Sequence, residues 1–145
     1  MEVEAAARLR GVITRLSRQL NSSAAVEGLT PAQASALALV VSRGRLSLAE
    51  LTAIEGLNPT MVSRVVRTLV RQGLISRTPD PRDLRVFVVE ATPAGRRMQM
   101  RIRDKRDRVV ADALARLGQE QQEAIMAAVS ALEELVGTLG GASPR

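Results

Sequence analysis

Thr60, Ser63, Arg64, Arg67 and Arg71 follow one another at helical intervals. On a helix of about 3.6 residues per turn they share one face. Between Asn58 and Phe87 the chain carries six arginines against two aspartates. A guanidinium fork holds a phosphate, or the major-groove edge of guanine, through two parallel hydrogen bonds, which a lysine ammonium cannot do. The basic surplus is almost wholly arginine, Lys105 being the single lysine, within a net charge of +6. A helix face that is merely solvated more often mixes Glu and Lys. The chemistry these residues suit is recognition of a polyanion, with duplex DNA the natural partner. The rival reading of the same arginines is a winged-helix protein-interaction module that docks acidic protein surfaces.

Other chemistries lack their residues. With no cysteine and no histidine there is no thiol switch, disulfide, zinc finger or histidine base. No nucleophile–base pair, carboxylate dyad or phosphate loop stands out, so neither an enzyme nor a cofactor is expected and no metal ligands are named.

The arginines must be held by elements that the punctuation of the chain marks out. Thr30-Pro31-Ala32-Gln33 reads as a capping box, with proline at the first helical position, opening a helix to about Val41. Ser47-Leu48-Ala49-Glu50 reads as a second box, opening a short helix that Gly56 ends. Asn58-Pro59 opens a third, with Val62, Val65, Val66, Leu69 and Val70 on its apolar side and Gly73 as its left-handed exit. Leu74 to Thr92 changes to a strand pattern, a hairpin whose polar tip is Pro79-Asp80-Pro81-Arg82-Asp83. Thr92-Pro93 starts a long helix interrupted at Gly118, and a last helix carries Ile125, Val129, Leu132, Val136 and Leu139.

The expected fold is mainly α with a small β-hairpin wing. It is a winged helix-turn-helix of six helices, with a short strand before the third helix and the wing between the fourth and fifth. At 145 residues with 46% apolar composition, one folded chain is expected. Residues 30–92 would form the DNA-binding lobe, 1–28 and 93–140 a helical dimerisation lobe, and 141–145 a flexible tail. Leu9, Val12, Ile13, Leu16 and Leu20 keep one face of the first helix apolar with no obvious local cover. The terminal helices are therefore expected to pair with those of a second copy through Leu9, Ile13, Leu16, Leu132, Val136 and Leu139. The first residues contain acids before bases and no long apolar run, so no signal peptide or membrane partner is expected and a cytoplasmic location follows.

In a helix-turn-helix the second helix enters the major groove and presents its first turns to base edges. Thr60, Ser63 and Arg64 are thus the expected base readers, and Arg67 and Arg71 the phosphate or groove-wall contacts. Ser47 and Asn58 are expected at the DNA backbone. Arg82 and Arg85 on the wing are placed to enter a neighbouring minor groove. Asp80 and Asp83 would repel phosphate, and are expected to shape the turn and orient the wing arginines.

The run GLISRTPDPRDLRVFVVEATPAG, preceded by NPTMVSRVVRTLVRQ, resembles the wing and recognition helix of the MarR family of bacterial regulators. The matching positions are Arg77, Asp80, Arg82, Asp83, Arg85 and Ala91-Thr92-Pro93-Ala94-Gly95. Leu84 stands where a basic residue is usual, and Ala91 where a leucine is. The resemblance implies an obligate dimer of triangular outline, formed by the first and last helices and acting as a repressor on an inverted-repeat operator. It also implies release by a small aromatic or lipophilic effector bound between the lobes. Cysteine oxidation, the other route among relatives, is closed here. With Phe87 the single aromatic residue, such an effector would rest on aliphatic packing plus an arginine. Arg96 to Arg108 holds seven bases and two acids. The family arrangement makes this stretch a connecting shaft whose start alone lies near phosphate.

Overall fold

The computed structural model describes residues 2–25 and 27–140; the tail expected at 141–145 lies outside the described residues. The element order is α1 (Val3–Ala25), α2 (Pro31–Arg43), β1 (Leu46–Ser47), α3 (Leu48–Glu55), α4 (Pro59–Arg71), β2 (Ile75–Asp80), β3 (Asp83–Ala91), α5 (Pro93–Ala115) and α6 (Gln119–Gly140). This is the mainly helical winged helix-turn-helix expected from the sequence. The chain packs as two compact units, residues 1–106 and 107–145, with the boundary inside α5.

Side-chain caps start the helices where the sequence places them. At α2, Thr30 Oγ1 accepts from Gln33 N at 3.2 Å while Thr30 N donates to Gln33 Oε1 at 3.0 Å. The box at α3 is one-sided among the described bonds: Ser47 Oγ accepts from Glu50 N at 3.1 Å. Asn58 Oδ1 accepts from Met61 N at 2.8 Å and starts α4. Each such cap is worth about 1 kcal/mol. Gly56 closes α3 with a left-handed backbone (φ 65°), so the chain reverses into α4 after two residues.

The first unit has one core. Leu37 and Val40 of α2, Leu51 of α3, Val66 and Leu69 of α4, Ile75 and Val89 of the sheet, and Ile102 of α5 are fully buried. Ala34 and Ala36 are buried in α2 as well, and such small side chains let neighbouring helices approach closely. The sheet is antiparallel with strand order β1-β3-β2. Leu46 pairs with Val89 and Ser47 with Val88, while Ile75 pairs with Ala91 and Pro79 with Phe87. Proline is tolerated at Pro79 because β2 is an edge strand.

Val70 departs from the sequence reading: it is 38% exposed rather than part of the apolar stripe. At about 100° per residue it stands some 90° from the centre of the face formed by Val62, Val65, Val66 and Leu69, on the flank of the helix. The wing also differs. Its strands reach Asp80 and Asp83, leaving Pro81 and Arg82 as the turn where a five-residue tip is expected.

The start of α5 is welded to the end of α4. Thr92 N donates to Leu74 O at 3.1 Å, and Thr92 Oγ1 donates to Gly73 O at 2.6 Å and accepts from Gly95 N at 3.0 Å. A β-carbon on Gly95 would collide with the Leu74 carbonyl oxygen, a backbone atom with no room to retreat. Gly95→Ala should therefore cost about 1–3 kcal/mol of stability. The expected readout is a lower urea midpoint at unchanged slope; an unaltered midpoint would show that the junction relaxes.

Weak ion pairs tie the outside of this unit together. Glu27, ahead of α2, forms ion pairs with Arg101 at 3.8 Å and Lys105 at 3.7 Å on α5, and Arg45 meets Glu90 at 3.7 Å. Such partly exposed pairs contribute about 0–1 kcal/mol each. Two of the seven bases between Arg96 and Arg108 are thus occupied by Glu27, and Arg96 donates to the Ala91 carbonyl at 3.0 Å.

The second unit is a helical hairpin. Gln122 Nε2 donates to Leu117 O at 2.9 Å across the turn, and α6 has no buried residue among those described.

Candidate nucleic-acid interface

α4 is sharply two-sided. Val62, Val65, Val66 and Leu69 are buried, while Thr60, Arg64, Arg67 and Arg71 are exposed and Ser63 is half-buried. The guanidinium groups of Arg64, Arg67 and Arg71 enter no hydrogen bond or ion pair among the described residues. Three unneutralised cations on one rigid face create a positive stripe that an anionic partner can satisfy. The caps consume only part of what Ser47 and Asn58 offer. Ser47 keeps its hydroxyl proton and Asn58 its side-chain amide N–H groups, both next to helix N-termini.

The wing is shaped by its two aspartates. Asp80 Oδ1 accepts from Arg82 N at 2.9 Å, a side-chain-to-backbone bond that tightens the turn. Asp83 Oδ1 accepts from both Arg85 N and Arg85 Nε, each at 3.1 Å. That pair is an exposed one, the Arg85 side chain being 91% accessible, so its guanidinium is aimed rather than sequestered. Register adds a further feature: β3 partners pass from Phe87, opposite Pro79, to Asp83, opposite Asp80. Leu84, Arg85 and Val86 therefore form a bulge with no partner on β2. Arg82 is exposed at the turn and takes part in no ion pair among the described residues.

Arg77 and Phe87 form a contact that sequence reading did not identify. The Arg77 guanidinium lies 4.2 Å from the centroid of the Phe87 ring. Register explains it, since Arg77 pairs with Val89 and Pro79 with Phe87, making the two a diagonal cross-strand pair. Knowledge of the register would have been the signal; residue spacing alone does not supply it. The single aromatic ring is thus already faced by a cation.

Beside the wing tip lies a hollow of about 310 Å³ lined by Arg45, Ser47, Glu50, Asp80, Arg82 and Val88, among others. Its arginines and carboxylates balance, which does not favour an anion. Among the described residues no cluster of three potential metal ligands occurs, and no helix is long and apolar enough to cross a membrane.

The fold and this basic face define a winged helix-turn-helix of the DNA-binding kind. The sequence profile of the MarR family matches residues 29–87, the stretch from the start of α2 to the wing. An HTH-type transcriptional regulator of Mycobacterium tuberculosis is 27% identical over 124 residues, covering 86% of this chain and 87% of that protein. A Pseudomonas aeruginosa protein assigned as a transcriptional regulator is 31% identical, with a TM-score of 0.75 over 92% of this chain and 94% of the other. A mutant of Escherichia coli MarR, solved with operator DNA, shares the fold at a TM-score of 0.69 and 20% identity, over 94% of each chain. The chain belongs to the MarR family, which is one of transcriptional regulators and not of enzymes.

Proposed function

We propose that two copies of this chain bind one duplex as a sequence-specific repressor, each copy setting α4 into a major groove and its wing into an adjacent minor groove. The observation that carries this reading is the row of exposed, unpaired arginines on α4 opposite its buried valines. Thr60, Ser63 and Arg64 read base edges, and Arg67 and Arg71 hold phosphate or the groove wall. Ser47 and Asn58 donate to the DNA backbone at the starts of α3 and α4. Arg82 and Arg85 serve the minor groove, with Asp80 and Asp83 holding the turn that presents them.

Residues 30–92 are the DNA-binding lobe in this reading, and 1–28 with 93–140 the dimerisation lobe. Support comes from uncovered apolar side chains on both terminal helices: Leu9, Ile13 and Leu16 on α1, and Leu132, Val136 and Leu139 on α6, the last pair at 70% and 69% exposure. The operator complex of Escherichia coli MarR supports the choice of duplex DNA. A small aromatic or lipophilic effector would release the complex. It would rest on aliphatic side chains and an arginine, because Arg77 already faces the one aromatic ring.

The test is duplex binding as a function of salt, combined with footprinting. Each phosphate contact should contribute about −0.9 to the slope of log K against log salt. Protection should fall on an inverted repeat with half-site centres about 10 base pairs apart. Failure to bind any duplex at low ionic strength, with binding to acidic protein surfaces instead, overturns the proposal.

A further inference from the structure

Within the winged region, the large apolar side chain most open to solvent is Leu84, at 73% exposure. It sits in the bulge of β3 that has no partner on β2, between Asp83, which shapes the turn, and Arg85, which Asp83 aims. A leucine at the tip of the wing, between charged residues, contributes nothing to the core, and exposing it forfeits burial that a polar residue would not need. Its immediate neighbours are Asp83 and Arg85, which pair with each other, and Arg82, two residues away, is exposed and in no ion pair among the described residues, a cation that a nucleic-acid surface attracts.

We infer that Leu84 is an apolar contact inside the minor groove of duplex DNA, where it favours A·T over G·C base pairs at the position the wing reaches. The inference rests on the proposed minor-groove role of the wing and deepens it. Both walls of the minor groove are built of sugar C–H groups, and its floor at an A·T pair offers no donor. A G·C pair places the guanine N2 amine in that floor, where an isobutyl group would strip its water and give no hydrogen bond in return. Arg85 brings the wing to the phosphate-lined groove, and Leu84 fills the space beside it. Apolar wedges are an established means by which other proteins engage this groove. A lysine at the same place would instead reach a phosphate and leave the base pair unread.

The test uses the full-length protein and operator duplexes carrying A·T, G·C or inosine·cytosine at the wing position. Inosine lacks the N2 amine and so presents an A·T-like floor. Wild type should bind the A·T and inosine·cytosine duplexes about fivefold more tightly than G·C, and Leu84→Ala should lose that preference with an unchanged salt slope. Leu84→Lys should bind all three duplexes alike, with a slope steeper by about 0.9 per wing. If Leu84→Ala keeps the wild-type preference, the inference is overturned. It is overturned too if that variant changes the sedimenting mass and not the preference, since the leucine then serves a protein contact. Arg85→Ala separates the two levels. If it weakens every duplex while Leu84→Ala changes nothing, the wing reading stands and the leucine contact falls. If Arg85→Ala changes nothing either, the wing is not in the groove and both fall.

Discussion

Arg64→Ala is expected to lower affinity for the specific operator by about 2–6 kcal/mol while leaving the fold untouched. A bidentate arginine–guanine pair contributes about 1–3 kcal/mol of discrimination, and a two-fold complex loses it in both half-sites. Arg64 is suited to this role because it stands early in α4, is exposed, and its guanidinium gives up no hydrogen bond or ion pair among the described residues when truncated. Its neighbours Val65 and Val66 keep their burial, so the thermal midpoint should not move. Anisotropy titrations on the operator and on a scrambled duplex decide the point. Loss confined to the operator marks a base reader. Equal loss on both makes Arg64 a phosphate contact, and no loss removes it from the interface. Arg71→Ala provides the contrast, with a uniform weakening and a salt slope shallower by about one per chain.

What the sequence makes legible here is what is decided locally. Thr30, Ser47, Asn58 and Thr92 cap helices through atoms within three residues of themselves, and Gly56 and Gly73 take the left-handed backbone that ends two of them. The two-sidedness of α4 follows from a period of about 3.6, which also explains the one misplaced residue: Val70 is apolar but lies on the flank. The wing tip was less legible because two aspartate side chains each bond an amide two residues onward. Those bonds allow the strands to run closer to the turn than proline and aspartate content suggests. Contacts that depend on register or on distant elements were not legible at all. Arg77 over Phe87 needs the β2–β3 pairing, and Glu27 meets Arg101 and Lys105 across more than 70 residues of chain. Arg96–Arg108 looks like a uniform basic run in the sequence, yet part of it neutralises a carboxylate of its own chain.

Placing a charge on the apolar terminal helices should have the broadest consequence. Leu16 is 57% exposed on α1 and Leu132 is uncovered on α6, and neither belongs to the buried core of the first unit. A second copy that covers them must desolvate whatever stands there. A carboxylate in that position costs several kcal/mol unless it finds a partner. The double variant Leu16→Glu, Leu132→Glu is therefore expected to sediment as a single chain of 15.6 kDa. Its winged region should keep its arginine face, because the capping bonds and core residues lie elsewhere. Losing the second half-site removes the gain from linked binding, so operator affinity should fall by about 10²–10⁴ while weak, salt-sensitive binding to any duplex persists. A variant that remains two chains in solution would show that these leucines are not at the interface. One that becomes a single chain but keeps full operator affinity would show that pairing is not needed for recognition.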